Sequence, residues 1–255
     1  MFKLEVRNLN KNFGGLQVLK DVSFEVEGPE LIGRIGPKGA GKTTRTNILD
    51  GALKPSSGTV YLNGKRIDPL PPYMVARAGL GRTFQVTRAF RRMTVMENLL
   101  VPAMAMNPRK RQKDFEEKAR WVLDFLTIDH LVNEYGRALS GGQQKLLELG
   151  RLLMLDPNII ILDEPFAGVH PKLMEVIYEY IHKVNSDGSA IIIISHDMDT
   201  IFTLSKRLLV LNYGDLIADG DPDVVKNDPL VKQAYLGEDE EEQESEQESK
   251  VIENA

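Results

Sequence analysis

A strand-like ELIGRI at Glu30–Ile35 runs straight into GPKGAGKTT at Gly36–Thr44 and then into helix-forming residues. No other stretch constrains the fold as much. The run fits G-x-x-x-x-G-K-[ST], a loop that wraps a polyphosphate. Gly36, Gly39 and Gly41 let the backbone approach the anion, so that its N–H groups and the N-terminus of the next helix face it. Lys42 can then reach the outer phosphates, and the Thr43 hydroxyl can bind Mg²⁺.

Two further motifs follow in order. LSGGQ at Leu139–Gln143 precedes a helical stretch over about Gln143–Leu155, and IIILDE at Ile159–Glu164 is an apolar strand ending in two acids. Ser140, Gly141 and Gly142 would open a helix whose N–H groups and positive dipole end face an anion. An acid at the C-terminal end of a buried strand, Asp163, points into the crevice where such sheets bind ligands, which suits Mg²⁺. Together the three motifs predict a chain that binds and hydrolyses a nucleoside triphosphate.

Between the motifs, short strands are expected at Phe2–Leu9, Val18–Val26 and Thr59–Asn63, and a helix at about Lys42–Ala52. Val86–Gly150 has helical spacing of apolar residues, including Phe115, Ala119, Val122, Leu123 and Leu126. Ile159–Asp163 and Ala190–Ser195 are unbroken apolar runs, as parallel strands covered on both faces require. A helix at about Pro171–Asn185 separates them, and Leu208–Leu211 with Leu216–Ala218 flank a hairpin turn, NYGD. The expected architecture is an α/β P-loop core with an antiparallel β subdomain at the start and an inserted helical subdomain. In residues, the core is 1–85 and 151–237, the helical subdomain 86–150, and 238–255 a tail.

Charge divides the chain the same way. The net charge is −5, but the stretch from Glu238 to Ala255 carries nine acids and one lysine, leaving 28 acids and 31 Lys plus Arg in the body. The tail has too little apolar surface to fold alone and is expected to be solvated and disordered. A body near +3 is too weakly basic for a nucleic-acid stripe. The absence of cysteine excludes disulfides and thiolate metal sites. No apolar run approaches the ~20 residues that a membrane span needs, and the strand-like MFKLEVRNLN start lacks a signal-peptide apolar region.

At this point the residues resemble the ATP-binding cassette (ABC) ATPases over essentially Phe2–Gly237. An aromatic at Phe13, GPKGAGKTT, the Gln of RTFQ (Gln85), LSGGQ, ILDE and the His of ISHD (His196) occur in the family's order. The resemblance implies that Gly36, Pro37, Lys38, Gly39, Ala40, Gly41, Lys42, Thr43 and Thr44 cradle ATP, and that Phe13 stacks on its adenine. A core Phe at a strand end is the other reading of Phe13. The resemblance also implies that Gln85 is a Mg²⁺ ligand and hinge, Glu164 the general base and His196 the switch contacting the γ-phosphate. Ser140, Gly141, Gly142 and Gln143 would meet the nucleotide held by a second ATPase subunit, a copy or a paralogue.

GLGRTFQ at Gly79–Gln85, MTVMENLLV at Met93–Val101 and VLNYGDLIADGDPDVVKNDPLVKQAYLG at Val210–Gly237 narrow the resemblance. They look like ATP-binding subunits of branched-chain amino-acid importers, or of related urea and amide importers. That implies separate integral-membrane permease subunits, indirect work with a solute-binding protein, and a place on the cytoplasmic face of the membrane. A groove near Gln85–Leu99 would take a short permease helix. The alternatives are the ATPase of a lipid or lipopolysaccharide exporter, against which RTFQ argues, and a soluble cluster-assembly ABC ATPase.

Four departures stand out. Arg34 lies in the P-loop strand where an aliphatic residue is usual, Lys38 replaces Asn, and Arg45–Thr46 replace an apolar pair. A cation there is expected to be compensated by an ion pair or by a snorkelling stem; the alternative is that the added positive charge alters nucleotide affinity. His170 stands at the position of the family's Asp or Asn after ILDE.

Overall fold

The computed structural model describes residues 2–37, 39–84, 87–109 and 111–234. Lys38, Gln85 and the tail from 238 lie outside them. The chain builds two sheets. The first is antiparallel, in the order β2-β1-β4-β5, from β1 (Lys3–Phe13), β2 (Leu16–Glu27), β4 (Ser57–Leu62) and β5 (Lys65–Arg66). The second has six strands in the order β10-β9-β3-β8-β7-β6. Its central strands are β3 (Leu31–Ile35), β8 (Ala190–Ile194) and β7 (Ile159–Asp163), flanked by β6 (Leu80–Arg82), β9 (Arg207–Asn212) and β10 (Asp215–Gly220). The strands β9-β3-β8-β7-β6 run parallel, and β10 closes one edge as an antiparallel hairpin partner of β9.

The unbroken isoleucines of the central strands divide by the two-residue period of a strand. Ile160, Leu162, Ile191 and Ile193 face one core, which also holds Leu99, Val122, Leu147 and Ile177 of the helices. Ile159, Ile161, Ile192 and Ile194 face the other, shared with Leu4, Val22 and Val60 of the antiparallel sheet. Burial on both faces explains why these strands show no polar alternation.

The P-loop helix is α1 (Lys42–Leu49), and α2 (Pro72–Ala78) leads into β6. The segment expected to be helical contains α3 (Val95–Met106) and α4 (Gln112–Phe125), with α5 (Gly141–Leu153) across its end. A reciprocal capping box starts α3: Thr94 accepts from the Glu97 N–H while Glu97 accepts from the Thr94 N–H. The stripe on α4 is as expected, with Phe115, Ala119, Val122 and Leu123 buried against α3 and α5. Next, α6 (Pro171–Ser186) connects β7 to β8, α7 (Met198–Leu204) connects β8 to β9, and α8 (Pro222–Val225) follows the hairpin. His170 is the N-cap of α6, its Nδ1 accepting from the Lys172 N–H at 3.3 Å. It thus does the local work for which Asp or Asn is favoured.

Candidate functional site

Three neighbouring parallel strands end on one side of the central sheet, and each delivers part of the site. After β3 comes the P-loop, after β7 Glu164, and after β8 Ser195 and His196; β3 pairs with β8, and β8 with β7. Crevices at such carboxyl ends are where open α/β sheets bind ligands. Here a cleft of about 810 Å³ is lined by Gly36, Pro37 and Gly39–Thr44, together with Glu164, Ser195 and His196.

Backbone geometry explains two of the loop glycines. A Cβ on Gly36 would lie 2.2 Å from the Leu211 carbonyl oxygen, and Gly36 has φ 151°. Gly41, at φ 87°, turns the chain into α1, and a Cβ there would meet the Val18 carbonyl at 2.8 Å. Only glycine occupies such conformations without strain. The Lys42 ammonium lies over the loop, donating to the Pro37 carbonyl at 2.8 Å and to that of Gly36. Thr43 is exposed at the mouth of the cleft.

Glu164 has φ 49°, a left-handed conformation that is strained for a glutamate. Its N–H continues the β7–β8 ladder by donating to the Ile194 carbonyl at 2.9 Å. Its carboxylate faces the loop after β8, with Oε1 at 3.0 Å from His196 Nδ1 and Oε2 accepting from the Ser195 hydroxyl at 3.3 Å. The Glu164 side chain is 18 % exposed and that of His196 82 %. A sheltered carboxylate therefore meets an imidazole that stands in solvent.

Asp163 sits beside this group on the end of β7. Its Oδ2 pairs with Arg82 at 3.2 Å, and Arg82 also binds Asp50 at 2.6 Å and the Asn47 side chain at 2.7 Å. Among the described residues no hydrogen bond commits the other Asp163 oxygen. With the Thr43 hydroxyl it supplies hard oxygen donors of the kind Mg²⁺ prefers, so the residues present fit that ion.

Phe13 ends β1, 49 % exposed, with Lys11 Nζ 4.9 Å from its ring centroid. It is not a core residue and does not line the cleft. Nor does the LSGGQ motif line it. Ser140 caps α5, accepting from the Gln143 N–H at 3.4 Å while its own N–H donates to Gln143 Oε1 at 2.9 Å. Gly142 packs closely on Leu173, where a Cβ would come within 2.7 Å.

The two cations beside the P-loop are not compensated as the sequence suggests. Arg34 and Arg45 are 0 % exposed, so neither snorkels, and among the described residues neither has an ion pair. Arg34 donates to the Thr46 hydroxyl at 2.8 Å and to the Lys42 carbonyl. Burial lowers its guanidinium to about 9. The three guanidinium nitrogens of Arg45 have no hydrogen bond, and its stacked neighbour is the Phe24 ring at 4.8 Å. Thr46 in place of an apolar residue is thus the acceptor that makes room for Arg34.

Motif reading missed a second buried group. Glu148 of α5 lines a 310 Å³ pocket with Phe84, Phe90, Pro102 and Arg151. Glu148 Oε1 accepts from the Phe84 N–H at 3.1 Å, and Oε2 is buried without a partner. Desolvation raises its carboxyl to about 7. A glutamate inside the apolar stripe of α5 was the available signal.

Comparison with known proteins places this geometry. The family described as ABC transporter matches residues 19–167, and the one described as branched-chain amino acid ATP-binding cassette transporter matches residues 216–241. The high-affinity branched-chain amino acid transport ATP-binding protein BraF of Pseudomonas aeruginosa is 37 % identical over 92 % of this chain and 98 % of its own length. The probable branched-chain amino acid transport protein LivG of Archaeoglobus fulgidus is 36 % identical over 92 % of this chain and 95 % of its own. A crystal structure of an ATP-binding cassette of an ABC transporter in its ADP conformation aligns with TM-score 0.80 at 35 % identity, covering 93 % of this chain and 99 % of that one.

Proposed function

The chain belongs to the ABC transporter ATP-binding family, and from that premise we propose that it powers an importer of branched-chain amino acids or closely related small solutes. ATP hydrolysis is the chemistry of the cassette. What supports the importer reading is the match of the C-terminal segment to the branched-chain amino acid cassettes, beside near full-length relatives of that name.

In the proposed mechanism the P-loop N–H groups and the α1 N-terminus hold the phosphates, with Lys42 moving from the Gly36 and Pro37 carbonyls onto the outer ones. Thr43, Asp163 and Gln85 would hold Mg²⁺, which would supply neutralisation of the negative charge on the phosphates. Glu164 orients the attacking water and accepts its proton, while His196 steadies the carboxylate and reaches the γ-phosphate. Phe13 stacks on adenine once Lys11 moves aside.

The observation that carries the assembly is the separation of the α5 N-terminus from the chain's own cleft. Ser140, Gly141, Gly142 and Gln143 present an anion-binding helix end with no phosphate of their own to bind. A head-to-tail pair of cassettes supplies one, giving two composite sites that close on ATP and reopen after hydrolysis. The pair would sit on the cytoplasmic face of the membrane, beneath separate permease subunits. The groove of Phe84, Phe90 and Pro102 would receive a permease helix. Among the described residues no helix is long and apolar enough to cross a membrane.

Light scattering on Glu164→Gln tests the assembly: the variant should bind Mg·ATP, turn over ~10²–10⁴-fold more slowly, and become dimeric at saturating ATP. A monomer under those conditions would remove the homodimer. Co-expression with the permease subunits, followed by uptake of radiolabelled leucine or urea into vesicles, tests the solute class. Urea uptake without leucine uptake would replace the amino-acid reading.

A further inference from the structure

We propose that Lys145 is a positioning residue for the hydrolytic base, a strut that ties the LSGGQ-bearing helix of one chain to Glu164 of the same chain. The inference rests on the reading of Glu164 as the base. Lys145 lies on α5, five residues after the N-cap Ser140, which is roughly 7.5 Å along a helix axis. It is 8 % exposed, and its ammonium donates to the carbonyl oxygens of Glu164 at 2.6 Å and Ala167 at 2.8 Å.

Those carbonyls begin and end the turn that follows β7, in which the Ala167 N–H also donates to the Glu164 oxygen at 3.3 Å. The turn opens on the left-handed Glu164, a conformation that persists only where its surroundings over-determine it. On one side the Glu164 N–H is held by the Ile194 carbonyl; on the other, Lys145 holds its carbonyl by a charge-assisted bond. With both backbone polar groups pinned, the carboxylate is aimed at Ser195 and His196.

A buried lysine spent on two backbone carbonyls is a costly way to close a turn. Burial lowers its pKa, and the charges of Glu148, Glu164 and Asp163 offset that only in part. What the arrangement provides is a rigid link between two surfaces that serve different nucleotides. In the proposed head-to-tail pair the N-terminus of α5 would face the γ-phosphate held by the second cassette, while Glu164 serves the chain's own. Any shift of α5 on closure reaches the Glu164 backbone through one side chain.

The test uses the full-length chain with Lys145→Met, which keeps the stem and removes the donors, and Lys145→Arg, which restores them. Steady-state turnover, KM and fluorescent-ATP affinity are measured on each beside Glu164→Gln. A misplacement of about 1 Å at a reacting group is enough for ~10²-fold. The expected result for Lys145→Met is a kcat lower by tenfold or more, with KM and ATP affinity within twofold, recovered to within threefold by Lys145→Arg. Faster amide exchange over 164–167 should accompany it. A kcat within twofold of wild type would overturn the inference, as would kcat and affinity falling in parallel with the melting temperature. If Lys145→Met does not fold, Lys145→Leu, which also lacks a donor, is read by the same criteria. Full turnover in Glu164→Gln would instead remove the base reading beneath the proposal, whatever Lys145 does.

Discussion

Lys42 and Glu164 line one cleft, yet they should fail in different ways. The Glu164 carboxylate is bonded to Ser195 and His196, so its loss is expected to be a loss of chemistry with binding retained. Lys42 is expected to contribute a charge-assisted contact that forms in the ground state as well as the transition state. Lys42→Ala should therefore raise the ATP dissociation constant by ~10-fold or more, since a hydrogen bond to a charged group is worth about 1.5–3 kcal/mol. Titration with fluorescent ATP at fixed Mg²⁺ reads this directly. Unchanged affinity with lost turnover would move Lys42 from binding to chemistry.

Within single elements, a buried cation and a buried acid give opposite expectations. Among the described residues the Arg45 guanidinium on α1 has no hydrogen bond, and it stacks on the Phe24 ring. An unpaired buried charge carries a desolvation cost of at least about 1 kcal/mol that an apolar residue of similar volume removes. Arg45→Leu should thus raise the melting temperature by several degrees, at ~2–4 °C per kcal/mol for a chain of this size. Calorimetry at pH 7 decides it; a lower temperature would mean that stacking on Phe24 outweighs the desolvation. Glu148 on α5 behaves differently because it can shed its charge. Its carboxyl stands at about 7 against an ordinary 4.5, so the folded chain keeps a proton that the unfolded chain has released. Its stabilising contribution is fully present below about pH 4.5 and is lost as pH rises through about 7. Glu148→Gln stays neutral throughout, so its urea midpoint should exceed that of wild type at pH 8 and converge with it towards pH 4.5. A gap independent of pH would mean that Glu148 ionises freely in the folded state.

At the scale of the whole molecule, the acidic tail holds no motif residue, and its −8 charge begins at Glu238, in the last residues of the 216–241 match. Truncation after Gly237 should leave ATP turnover unchanged at both low and high salt. Attraction to cations near the phosphates would be screened above ~0.15 M. A truncated enzyme several-fold faster at low salt alone would make the tail an electrostatic inhibitor.

Periodicity and motif chemistry were enough for the fold class and for most of the cleft. The bounds of β7 are those read from its apolar run, and α6 extends one residue past the expected Asn185, because long buried elements carry their pattern in every residue. The P-loop was legible because its chemistry demands those residue types, whereas Glu164 and His196 were legible only through the resemblance of ILDE and ISHD to the family's motifs. The three-residue β6 had no period to read, and α7 is too short for one; β7 pairing defines the first, and packing on the sheet the second. What only tertiary structure decided was which unlike segments meet. Arg34 takes Thr46 as acceptor twelve residues away, Arg82 gathers Asp50 and Asp163, and Lys145 closes on two carbonyls beyond the next strand. Every residue has a backbone carbonyl, so a side chain bound to one leaves no residue type at the far end for a sequence to show.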